Sequence, residues 1–83
     1  MRTKDLIVHY INRGFNGCHL RSESDLIDRL SADFGCAIGV EQKPNDTLHL
    51  HFDVEDGLVV EIQLLPNPIN GMKNWCRNIK IVE

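Results

Sequence analysis

Four side chains in this chain have the types and spacing to do chemistry together: His49 and His51, two residues apart, with Glu41 before them and Glu61 after. Two imidazoles at i and i+2 of an extended strand project to the same side, and such a pair can contribute to a zinc site when further ligands converge on it. A stable site also needs a second shell that holds each ligand in one orientation. An open sheet surface supplies neither convergence nor that shell. The expectation is therefore no bound metal and no cofactor, with the histidines and glutamates forming solvated cross-strand pairs; a His/Glu metal-binding protein is kept as the third alternative for function.

Cys18, Cys36 and Cys76 are odd in number and far apart, which suits neither a disulfide framework nor the paired spacing of zinc ribbons. They read as reduced thiols that pack like small apolar side chains. Cys36 follows the end of an expected helix, where the backbone dipole works against a thiolate, and the adjacency of Cys18 and His19 carries no geometric information. There is no phosphate-cradling glycine loop, no dinucleotide-binding turn and no helical metal-protease motif. The chain is expected not to be an enzyme.

The formal charge is -3, with 25% charged and 42% apolar residues. That balance is ordinary for a globular protein and lacks the basic stripe of a dedicated nucleic-acid binder. Nucleic acid is accordingly disfavoured as a partner, although Lys73 and Arg77 could form a local basic patch, which gives a nucleic-acid-associated regulator as the second alternative. The apolar runs do not exceed three residues, as at Leu6-Ile7-Val8 and Leu58-Val59-Val60, far short of the roughly 18 that suggest a membrane span. No secretory signal pattern opens the sequence. The expectation is a cytoplasmic protein without membrane contact.

The elements that must position these residues are legible from periodicity. Leu48, Leu50, Phe52 and Val54 alternate with His49, His51, Asp53 and Glu55, and Leu58, Val60, Ile62 and Leu64 alternate with Val59, Glu61, Gln63 and Leu65; a period of two is that of a half-buried strand. Between them, a three-residue Glu55-Asp56-Gly57 loop with Gly57 left-handed pairs Val54 with Leu58, Phe52 with Val60, Leu50 with Ile62 and Leu48 with Leu64. On the outer face it pairs His51 with Glu61 and His49 with Gln63. A turn at Pro44-Asn45-Asp46 places strand 37–43 alongside, with Gln42 by Leu48, Val40 by Leu50, Ile38 by Phe52, Glu41 by His49 and Gly39 by His51. The last strand alternates Arg77, Ile79 and Ile81 against Asn78, Lys80 and Val82, with Ile79 and Ile81 facing the core; its neighbour is either strand 58–65 or strand 37–43.

Two helices precede the strands. Thr3 is an N-cap candidate, Leu6, Ile7, Tyr10 and Ile11 form an apolar stripe, and Gly14 with Phe15 suits a left-handed C-terminal closure. Ser22 and Asp25 approximate a capping box ahead of Leu26, Ile27, Leu30 and Phe34, and Gly35 stops the helix. Asn16-Gly17 is a turn signal, and Cys18 to Arg21 reads as a connector or brief edge strand. In the connector 66–74, Asn67 and Pro68 could start one helical turn, with Ile69, Met72, Trp75 and Cys76 either plugging the core or, for Met72 and Trp75, standing out as partner anchors.

The fold expected is one α+β domain over residues 1–83, a two-layer sandwich in the order α-α-β-β-β-β, with two helices on one face of a four-stranded, mostly antiparallel sheet. The function expected is that of a non-catalytic protein-binding module. Its acidic sheet face, Glu41, His49, His51, Asp53 and Glu61, together with the 66–76 loop bearing Met72 and Trp75, would cover a basic surface of another protein, as an inhibitor or regulator does. A homodimer, formed through an edge strand or Trp75, is a second form of the same reading.

Overall fold

The computed structural model describes residues 3–54 and 57–82, apart from the side chain of Thr3. The order is α1 (Thr3–Phe15), α2 (Glu23–Phe34), β1 (Ile38–Lys43), β2 (Thr47–Phe52), β3 (Leu58–Leu65) and β4 (Trp75–Ile81). The sheet is antiparallel throughout, with the spatial order β1-β2-β3-β4, so β4 continues the meander beside β3. Both helices lie on one face of it, α1 against β4 and α2 reaching β1. Among the described residues no helix is long and apolar enough to cross a membrane.

The core follows from the alternation. Leu48, Leu50 and Phe52 of β2, Leu58, Val60 and Ile62 of β3, and Cys76 and Ile79 of β4 are buried beneath Ile11, Phe15, Leu26 and Leu30 of the helices. Helix α2 starts as expected: Ser22 Oγ accepts the Asp25 N–H at 3.1 Å, and Gly35 ends the helix in the left-handed conformation at φ 63°.

Helix α1 departs from the expected pattern in two ways. It runs through Gly14 to Phe15, and the left-handed residue is Gly17, at φ 83°. Its buried stripe is Ile11 and Phe15 with Ile7 and Val8 packed against the core, while Leu6 and Tyr10 are 54% and 48% exposed. A four-residue step from Ile7 through Ile11 to Phe15 keeps one ridge on the sheet, and once Phe15 is helical that ridge excludes Leu6 and Tyr10. Tyr10 turns instead to α2, its hydroxyl donating to Asp33 Oδ2 at 3.0 Å and its ring meeting Phe34 edge to face. The expected Thr3 cap falls on a side chain outside the described residues.

The β1–β2 register is the expected one, from Lys43 opposite Thr47 to Ile38 opposite Phe52. The β2–β3 register is displaced by two residues: Phe52 faces Leu58, Leu50 faces Val60, Leu48 faces Ile62, and on the outer face His49 faces Glu61 and His51 faces Val59. The cause lies in the chain after Phe52. The Asp53 N–H bonds to the Ala37 carbonyl at 3.0 Å, holding Asp53 to the β1 side, and the Val54 N–H closes back on the Phe52 carbonyl at 2.9 Å. The chain thus leaves β3 two residues earlier than the hairpin arithmetic required. Gly57 is left-handed as expected, φ 65°, with its N–H on the Val54 carbonyl at 2.9 Å; Glu55 and Asp56 lie outside the described residues.

Strand β4 carries a bulge. Glu61 faces Lys80 and Gln63 faces Arg77, so Ile62 stands opposite both Asn78 and Ile79. Asn78 takes φ 56°, a left-handed conformation that Asn tolerates better than other non-glycine residues. The extra residue reverses the alternation. Arg77, expected on the face of Ile79 and Ile81, points outward beside Gln63, while Cys76 and Ile79 both point in. Segment 17–20 adds a short fifth rung: His19 bridges Trp75, with Gly17 N–H to the Cys76 carbonyl at 2.7 Å and Cys76 N–H to the Cys18 carbonyl at 2.8 Å. Further along β4, Asn12 Nδ2 donates to the Ile79 carbonyl at 3.2 Å.

Replacing Asn78 tests the bulge. Asn78→Val forces a β-branched residue into the left-handed region and should lower the unfolding free energy by about 1–3 kcal/mol, whereas Asn78→Gly, which loses the same side chain without that strain, should cost clearly less. Urea denaturation compares the two. Equal losses would mean that the left-handed backbone is not what the position demands.

Candidate functional site: the outer sheet face

The face of the sheet turned away from the helices is built by the alternate residues of the four strands. The register places Glu41, His49, Glu61 and Lys80 in one row across β1, β2, β3 and β4, with Lys43, Thr47, Gln63 and Arg77 in the row beside it and Gly39, His51 and Val59 on the other side. Asp53, next on the outward parity of β2, is exposed beyond His51. Of the residues expected on this face, Glu41, His49, His51 and Glu61 stand there, and Asp53 is exposed just past the end of β2. The pairing differs from expectation, since His49 and not His51 meets Glu61.

Each glutamate holds one histidine and one lysine, using a different oxygen for each. Glu61 Oε1 lies 3.1 Å from His49 Nε2 and Oε2 lies 3.2 Å from Lys80 Nζ. Glu41 Oε1 lies 3.4 Å from His51 Nε2 and Oε2 lies 3.2 Å from Lys43 Nζ. The hydrogen bond from His49, and then that from Lys80, keeps the Glu61 carboxyl below its usual range. For Glu41 the Lys43 contact weighs most and His51 next, in the same direction. The face is therefore not acidic as a whole. Lys43, Arg77 and Lys80 share it with the two glutamates, and Arg77 escaped sequence reasoning because only the bulge at Asn78 turns it outward.

Amides extend the network. Gln63 Nε2 donates to Thr47 Oγ1 and to the Asn45 carbonyl, both at 3.2 Å, and Asn78 Nδ2 donates to Gln63 Oε1. The open hollow here, about 430 Å³, is lined by Glu61, Gln63, Asn78, Ile79 and Lys80. Among the described residues no group of three or more His, Cys, Asp or Glu is placed to hold a metal ion. One oxygen of each of Glu41 and Glu61 is turned to a lysine and the other to a histidine.

Trp75 stands at the end of the face opposite Leu65. His19 stacks beside its ring at 6.5 Å between centroids, and the Arg77 guanidinium lies 4.9 Å from the ring centroid, a cation–π contact. Asn67 Nδ2 donates to His19 Nε2 at 3.3 Å, so the 66–74 loop is tied to the same cluster. Trp75 is partly exposed. Met72 is 51% exposed and Ile69 93% exposed; the expected plug of the core by Ile69 and Met72 does not form, and Cys76 alone of that group is buried. The reason is the loop's own bonding. Asn67 Oδ1 accepts from the Ile69 N–H at 2.8 Å and its carbonyl from the Gly71 N–H at 2.8 Å, so the chain turns on itself away from the core.

The cysteines differ sharply in accessibility. Cys18 is exposed, Cys36 half-buried and Cys76 buried, and burial, assisted by the neighbouring Cys18, pushes the Cys76 thiol up to about 12. A thiol reagent should modify Cys18 quickly in the native protein and reach Cys76 only on unfolding, as peptide mass mapping of a labelling time course would show.

The paired glutamates also set an acid limb. A carboxyl whose folded-state pKa is lowered adds stability above its unfolded pKa, near 4.3 for Glu, and that contribution is lost as pH falls through the folded value. Urea midpoints followed from pH 6 down to about pH 3 should therefore drop less in Glu41→Gln/Glu61→Gln than in the parent; parallel curves would contradict the pairing. Comparison with protein-family models, with curated proteins and with solved structures finds no match, which leaves the geometry of this face as the ground for a functional reading.

Proposed function

We propose that this protein is a small non-catalytic protein-binding module that regulates or inhibits a partner by covering one of its surfaces, with the outer sheet face as the contact. One observation carries the reading. The helices occupy the other face, and the uncovered one presents Glu41, His49, Glu61 and Lys80 in one row across all four strands, with Glu61 held by His49 and Lys80 at 3.1 and 3.2 Å and Glu41 held by Lys43 and His51 at 3.2 and 3.4 Å. Fixed charges lose little freedom on binding and set register and encounter. Trp75, partly exposed and steadied by His19 and Arg77, is the kind of residue that concentrates binding energy.

The partner surface that fits is of mixed charge. Basic groups would lie over Glu41, Asp53 and the histidines, and acidic ones over Arg77 and Lys80. A reducing compartment, the cytoplasm, suits three unpaired thiols of which one is exposed. A second reading, nucleic-acid-associated regulation, draws on Arg77 over Trp75 with Lys80 on the same face. It is the weaker one, because His19 and Arg77 already flank the indole that a base would stack on and Glu61 sits beside Lys80.

Cross-linked affinity purification from the native cell tests the first reading. A specific partner should cross-link at Lys43 and Lys80, and Glu41→Lys/Lys80→Glu, with a native circular dichroism spectrum, should reduce its recovery by about tenfold. Recovery unchanged in the variant, or cross-links confined to the helical face, would overturn it. Salt-sensitive binding to single-stranded oligonucleotides at low ionic strength, abolished by Arg77→Glu, would replace it with the second.

A further inference from the structure

The 66–74 loop combines three features that the sheet-face reading does not use. Its tip carries Ile69, 93% exposed, with Met72 nearby at 51%. Its backbone is bonded to itself, Asn67 N–H to the Met72 carbonyl at 2.8 Å, Gly71 N–H to the Asn67 carbonyl at 2.8 Å and Met72 N–H to Asn70 Oδ1 at 3.0 Å. Its root is tied to the body, with Leu20 N–H on the Asn74 carbonyl at 2.9 Å. An isoleucine held at the tip of a preorganised loop needs little ordering to bind.

At the root of the same loop lies a hollow of about 320 Å³ lined by Asp46, Leu64, Leu65, Pro66, Lys73 and Asn74. Leu64, Leu65 and Pro66 give it an apolar floor, and its volume admits a branched aliphatic side chain. We propose that the occupant of this hollow is Ile69 of a second copy of the chain, and that the exchange is reciprocal. Knob and hollow sit at the tip and base of one loop, so a single two-fold axis satisfies both contacts and closes the assembly at a dimer. The rim carries one charge of each sign, Asp46 and Lys73, and a two-fold arrangement can set each against its opposite. A lipid surface suits the tip less well, since anchoring by so few apolar side chains requires a basic cluster, and here Lys73 stands in a chain of net charge -3. The contact is small beside the roughly 800 Å² a side of standard interfaces, so the dimer is expected to be weak and reversible. It does not use the Glu41, His49, Glu61 and Lys80 row of the outer sheet face and does not rest on the proposed function.

Sedimentation velocity of the full chain, from low micromolar to several hundred micromolar, should show a reversible monomer–dimer equilibrium. Ile69→Asp, which alters a side chain that touches little of its own fold, should weaken it by about tenfold or more with an unchanged circular dichroism spectrum. In a mixture of isotope-labelled parent and unlabelled Met72→Cys protein in a Cys18→Ser background, which keeps Ile69, a spin label at position 72 should broaden the amide signals of Leu64 and Leu65 across the interface. A monomer at every concentration, a dimer indifferent to Ile69→Asp, or broadening elsewhere would overturn the proposal. So would Ile69-dependent cosedimentation with phosphatidylserine vesicles by a protein that stays monomeric.

Discussion

Two helices can cover only one face of a four-stranded sheet, and most of this molecule follows from that constraint. The strands must alternate, because one side of each is dry and the other wet. Leu50, Val60 and Ile62 are fully buried while His49, His51 and Glu61, their immediate neighbours, stand on the opposite face. The uncovered side can then hold charge, but charges on adjacent strands sit within contact distance of one another. The arrangement found is one in which each glutamate touches a histidine and a lysine.

How much of this was legible in the sequence depends on what alternation can encode. A period of two identifies the face of every residue in β2 and β3, and those assignments hold. It leaves the register undetermined by multiples of two, because a slip of two residues returns each side chain to the same face. The β2–β3 pairing slipped by that amount. What decides it is a pair of backbone hydrogen bonds, from Asp53 to Ala37 and from Val54 to Phe52, which no side-chain pattern records. Between β1 and β2 the Pro44-Asn45-Asp46 turn left no such slack. The candidate site inherits the slip, since it exchanges the histidine that meets Glu61.

The bulge at Asn78 is the converse case, a one-residue irregularity that does change faces. Its only trace in the sequence is an asparagine, a residue that tolerates a left-handed backbone, between Arg77 and Ile79. Without it Arg77 would be directed toward the core beside Leu64. With it, the cation reaches Trp75 and Gln63 and the face acquires its positive side. Ile69 was misplaced for a different reason. Apolar type suggested burial, whereas Asn67 and Gly71 bond the loop to itself and hold the isoleucine out.

Trp75 is the single tryptophan of the chain, and it stands where segments distant in sequence converge: His19 from the short fifth rung, Leu65 from the end of β3 and Arg77 from its own strand. Its intrinsic fluorescence is therefore a local optical probe and not an average over the molecule. An imidazole lies beside its ring and a guanidinium over it, so a peeling of residues 17–20 from the sheet would change the indole's surroundings and register in its emission while the helices, and hence the far-ultraviolet signal, stayed as they were. The fold thus carries a built-in means of separating the fraying of one seam from the loss of the whole.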